Sequence, residues 1–72
     1  MNGREFERRV RKAARKQGLP VNYDAAQGKG SHGRLYLGDR FTTLRDRRKE
    51  IGPGLLAAML EQLGLTKNDI EG

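Results

Sequence analysis

His32 is the single histidine of the 72-residue chain, and it closes the run Gly28-Lys29-Gly30-Ser31-His32. An imidazole with an unperturbed pKa of about 6.5 both accepts and donates a proton near neutral pH. Glycines at alternate positions let a backbone approach an anion and aim N–H groups at it, while Lys29 adds a charge and Ser31 a hydroxyl. A phosphate holder beside a proton carrier is the chemistry of a nuclease. Gly28, Gly30 and Gly33 also match the spacing of a dinucleotide fingerprint, but the run opens a strand instead of a helix and the chain is too short for a nucleotide-binding βαβαβ unit.

These groups need a scaffold, and the local signals supply one. Asn2 and Glu5 stand three apart as a capping box for a helix running to about Gln17, stopped by Gly18 with Pro20 beyond. Phe6, Val10, Ala13, Ala14 and Gln17 form its apolar stripe, and Arg4, Arg8, Arg11, Lys12 and Arg15 lie on the outward side. Glu5 with Arg9, and Glu7 with Arg11, are favourable i, i+4 pairs. Val21 to Ala26 suits a short edge strand after a proline.

Gly38-Asp39 is a two-residue hairpin turn between His32–Leu37 and Arg40–Leu44. That turn sets Leu37 against Arg40, Leu35 against Thr42 and Gly33 against Leu44 on one face. The other face then gathers His32, Arg34 and Tyr36 with Phe41, Thr43 and Arg45. Gly52-Pro53-Gly54 introduces a second helix, whose Leu56, Met59, Leu60 and Leu63 are expected to supply most of the core before Gly64 ends it. Thr66 and Asp69 read as a cap for a final turn.

The expected fold class is therefore α+β, with the order α-β-β-β-α and both helices on one face of a three-stranded antiparallel sheet. Residues 1–72 make a single domain with a thin core. Fifteen Lys and Arg against nine Asp and Glu give a formal charge of +6, the footprint of a polyanion partner. Without cysteine there is no disulfide or thiolate zinc site, and no apolar run approaches the length of a membrane span, so no metal, cofactor or membrane is expected and the location is read as cytoplasmic.

Gly30-Ser31-His32 before a hairpin, followed by Lys49-Glu50-Ile51-Gly52-Pro53-Gly54-Leu55-Leu56 and Met59-Leu60-Glu61-Gln62-Leu63-Gly64-Leu65, resembles the HicA family of mRNA interferase toxins. The resemblance spans nearly the whole chain. It implies a double-stranded-RNA-binding-like fold, RNA cleavage by His32 with Gly30 and Ser31 shaping its loop, and neutralisation by a HicB-type antitoxin. Thr43-Leu44-Arg45-Asp46 stands where many members carry a second histidine.

The corresponding mechanism has His32 remove the proton of a ribose 2′-OH, with Lys29, Arg34 and Arg45 holding the phosphate and Ser31, Tyr36 or His32 itself returning the proton to the leaving oxygen. Two other functions fit the same charge. One is a non-catalytic RNA-binding module, and the other is a structural adaptor for an acidic protein.

Overall fold

The structure, a computed structural model, describes residues 1–25, 33–44 and 46–71. Helix α1 spans Gly3–Gln17. Strands β1 (Val21–Asp24), β2 (Gly33–Leu37) and β3 (Arg40–Leu44) follow, then helices α2 (Pro53–Leu63) and α3 (Lys67–Glu71). The three strands form one antiparallel sheet in the order β1-β2-β3, giving the α+β layout expected, with α3 as an added last turn. No helix among the described residues is long and apolar enough to cross a membrane.

Local chemistry accounts for the boundaries. The Asn2 side chain accepts from the Glu5 N–H at 2.9 Å, and Gly18 ends α1 in the left-handed region at φ 69°, where a side chain would be strained. Pro53 sits in the first turn of α2, and Gly64 ends that helix at φ 74°. Thr66 and Asp69 cap α3 reciprocally: the Thr66 N–H donates to the Asp69 carboxylate at 2.7 Å and the Asp69 N–H to the Thr66 hydroxyl at 3.3 Å.

The hairpin has the register the turn dictates, pairing Gly33 with Leu44, Leu35 with Thr42 and Leu37 with Arg40. Those alternate positions bury Gly33, Leu35, Leu37, Thr42 and Leu44 against the helices, and the opposite face stays open. The first strand is shorter than expected, because Ala25 leaves the ladder. Ala26, the expected end of that strand, lies outside the described residues.

Two expectations need correction. The second helix does not dominate the core: α1 buries Phe6, Val10, Ala13 and Ala14, while α2 buries Met59, Leu60 and Leu63. Gln17 is exposed, so the buried stripe of α1 ends at Ala14. Ile51, Leu65 and Ile70 complete the cluster from the connections and α3.

The connector 46–50 does more than join β3 to α2. Its Lys49 and Arg47 carbonyls accept the N–H groups of Gly3 and Arg4 at 3.2 and 2.9 Å, so the first turn of α1 is satisfied within the protein. Gly3 has to lack a side chain, since a Cβ there would stand 2.9 Å from the Arg47 Cα.

Candidate nucleic-acid interface

The candidate site is the open face of the sheet. Alternation along β2 and β3 brings Arg34, Tyr36, Phe41 and Thr43 to that face, as the turn at Gly38-Asp39 requires. Tyr36 and Phe41 are direct cross-strand partners, with ring centroids 5.7 Å apart and a tilt of 43°. The Arg34 guanidinium lies 4.7 Å from the centroid of the Phe41 ring, reached diagonally from β2. Asn22 and Asp24 of β1 stand opposite Tyr36 and Arg34 in the register.

Chemically this is a pair of neighbouring rings with a guanidinium over one of them. Phe41 is 44% exposed, which leaves the face of its ring open to solvent beside the Arg34 guanidinium. Exposed aromatic rings beside a guanidinium are the groups on which unpaired bases stack while a phosphate is gripped. The sequence places Phe41 on this face by alternation, yet it does not single it out as a contact. Its signal was an aromatic at a polar-face position two residues past the turn.

The beginning of β2 is held from behind. The Tyr23 hydroxyl donates to the Leu44 carbonyl at 3.3 Å, crossing β2 on the core side at Gly33. A Cβ on Gly33 would stand 2.4 Å from that hydroxyl oxygen and 3.0 Å from the Asp24 carbonyl. Gly33 is therefore a packing requirement, which gives it a role independent of any phosphate loop. The Arg47 guanidinium covers the Tyr23 ring at 4.6 Å and also pairs with Glu7 at 2.9 Å, tying the connector to both β1 and α1.

Of the residues expected to act on RNA, the structure describes Arg34 and Tyr36, both on the open face as anticipated. Lys29, Gly30, Ser31, His32 and Arg45 lie outside the described residues. His32 directly precedes Gly33 in the chain and Arg45 directly follows Leu44, and Gly33 and Leu44 are paired. Among the described residues, no group of three His, Cys, Asp or Glu side chains is placed to hold a metal ion.

Charge elsewhere is arranged around α1 and the connector. Glu5 is flanked by Arg8 and Arg9, whose hydrogen bonds hold its carboxyl below the ordinary glutamate range. Arg48 does the same for Asp46, through its side chain and its backbone N–H. No protein-family model, curated protein or solved structure gives a match to this chain.

Proposed function

We propose that the chain is a metal-independent endoribonuclease of the HicA type, a toxin that cleaves mRNA in the cytoplasm and is neutralised by a HicB-type antitoxin. The double-stranded-RNA-binding-like arrangement of that family is the finer reading of its α-β-β-β-α order. The observation that carries the proposal is the hairpin register, which gathers Arg34, Tyr36 and Phe41 on a solvent-open face next to the strand residue that His32 precedes. The formal charge of +6 and the Gly30-Ser31-His32 run support it.

In this reading a base of the substrate stacks on Phe41 and Tyr36, and Arg34 grips an adjacent phosphate. His32 takes the proton of the ribose 2′-OH, the 2′-oxygen attacks the neighbouring phosphorus, and the P–O5′ bond breaks to leave a 2′,3′-cyclic phosphate. The 5′-oxygen leaves with a proton returned by His32 or supplied by Ser31 or Tyr36. Lys29, Arg34 and Arg45 stabilise the charge growing on the phosphorane oxygens, and Gly30 lets the backbone come close. DNA has no 2′-OH and is not cut. A single imidazole contributes roughly two to four orders of magnitude, so turnover is slow.

The same stacking platform is sufficient for a non-catalytic RNA-binding module, so cleavage decides between the two. Wild type and His32→Ala are compared on single-stranded RNA in EDTA, with DNA as control and circular dichroism to establish folding. Cleavage of RNA alone, by wild type alone, is the expected result. RNA binding by both proteins with cleavage by neither makes the chain a binding module.

A further inference from the structure

We infer that the outer crest of α1 is a second nucleic-acid surface, one that grips RNA backbone on the side of the molecule opposite the open sheet face. Helix α1 carries seven Lys and Arg against two Glu, so +5 of the chain's formal +6 resides in this one element. At 3.6 residues per turn, Arg4, Arg8, Arg11 and Arg15 fall within about 60° of one another and extend along about 16 Å of axis. They stand opposite the buried stripe of Phe6, Val10, Ala13 and Ala14, and all four are exposed.

The two carboxylates flank this line instead of interrupting it. Glu5 takes Arg8 and Arg9 on one side, and Glu7 takes Arg11 and Arg47 on the other, which orders the guanidinium groups without cancelling the row. Among the described residues neither Arg4 nor Arg15 meets a carboxylate. Beside the crest, Arg9 donates to the Ile70 carbonyl at 3.4 Å, and α3 becomes one wall of an open groove of about 480 Å³ lined by Arg8, Arg11, Lys12 and Arg15, with Glu71 as its single carboxylate.

A linear row of arginines beside a basic groove is complementary to a chain of regularly spaced phosphates. Among the described residues the open sheet face offers one arginine beside two rings, which suits an individual nucleotide. The crest offers charge without rings, which suits backbone whatever its sequence. With extents of 32 × 24 × 17 Å, the protein presents both surfaces to a long RNA that bends around it, whereas a short oligonucleotide occupies one at a time. Binding by the crest does not depend on the nuclease reading.

The test uses the full chain carrying His32→Ala, so that RNA stays intact, and measures binding of a long single-stranded RNA by fluorescence anisotropy between about 50 and 200 mM salt. Arg4, Arg8, Arg11 and Arg15 are changed together to Gln, and a charge-matched control changes Arg40, Arg48, Lys49 and Lys67 to Gln. The crest variant is expected to lose about tenfold or more in affinity and to lower the slope of log affinity against log salt by roughly three, while the control keeps a slope close to the parent. Circular dichroism checks that each variant is folded.

Equal losses in the two variants overturn the assignment, because net charge and no crest then explains the binding. Unchanged RNA affinity in the crest variant overturns it as well, and loss of polyglutamate binding in that case assigns the crest to an acidic protein. Cleavage of an RNA of about four nucleotides, the short end of a single-strand site, by the chain with His32 intact reports the nuclease reading separately.

Discussion

The Tyr23 hydroxyl occupies the space that a side chain at position 33 would need, 2.4 Å from the place of a Gly33 Cβ. This contact lets Tyr23 of β1 reach across β2 to the Leu44 carbonyl on β3, linking all three strands through one side chain. Gly33→Ala forces the ring or the strand to move, and overpacking of this kind costs about 1–3 kcal/mol. Tyr23→Phe loses one hydrogen bond, about 1 kcal/mol, and keeps the ring under Arg47. Tyr23→Phe removes the nearer of the two Tyr23 atoms in the way and keeps Cζ at 2.7 Å, so it relieves part of the clash and the double variant is expected to be more stable than the sum of the single losses. Urea unfolding of the four proteins measures this, and strict additivity refutes the contact.

Phe6 is fully buried in the cluster that joins apolar side chains of the helices and the sheet. Phe6→Ala removes packing worth about 3–5 kcal/mol. At roughly 0.05–0.15 kcal/mol per residue, a domain of this size has about 4–11 kcal/mol in total. The variant is therefore expected to be largely unfolded or to melt far below wild type in thermal circular dichroism. A shift of only a few degrees would mean that the core is less dependent on α1 than its burial indicates.

What the sequence discloses about this fold is local. The Asn2 cap, the left-handed glycines that end the helices at positions 18 and 64, and the Gly38-Asp39 turn each act within a few residues, and from them follow the helix boundaries and the hairpin register. Arg34 could be assigned to the open face for the same reason. The Tyr23 bridge to Leu44 and the Glu7–Arg47 ion pair join residues 21 and 40 apart, and no periodicity announces such a partner. The connector reads as a charged loop because its capping of α1 is done by carbonyl groups, which every residue possesses. Phe41 was legible in position but not in role, since exposure of a ring is decided by what the rest of the fold leaves uncovered.

Glu5 gives a pH dependence with a definite sign. Its carboxyl is held below the ordinary value of about 4.5 by hydrogen bonds from Arg8 and then Arg9. A carboxylate with a lowered folded-state pKa binds protons more weakly in the folded protein than in the unfolded chain. Its contribution is complete above pH 4.5 and is lost as the pH falls through the lowered folded value. The group lies at the surface, partly covered by its arginine partners, where solvent screens such pairs, so the effect is small. Glu5→Gln is expected to melt slightly below wild type at pH 7, with the two midpoints converging toward pH 3. A gap that stays constant over that range would show that the loss at pH 7 is not electrostatic.

Arg34 and Phe41 divide the open face between charge and stacking, and substitution separates the two. Both side chains are exposed, so Arg34→Gln and Phe41→Leu should each change stability by no more than about 0.5 kcal/mol. Arg34→Gln removes one phosphate contact and should lower the salt slope of binding to a short single-stranded RNA by roughly 0.7. Phe41→Leu keeps that slope and weakens binding by about 1–3 kcal/mol, the worth of one stacked base. Arg34→Lys restores the slope and only part of the affinity, because an ammonium group does not spread over the Phe41 ring as a guanidinium does. Anisotropy titrations at several salt concentrations provide both numbers for each protein. If Phe41→Leu lowers the slope, or Arg34→Gln leaves it unchanged, this face does not hold RNA in the manner proposed.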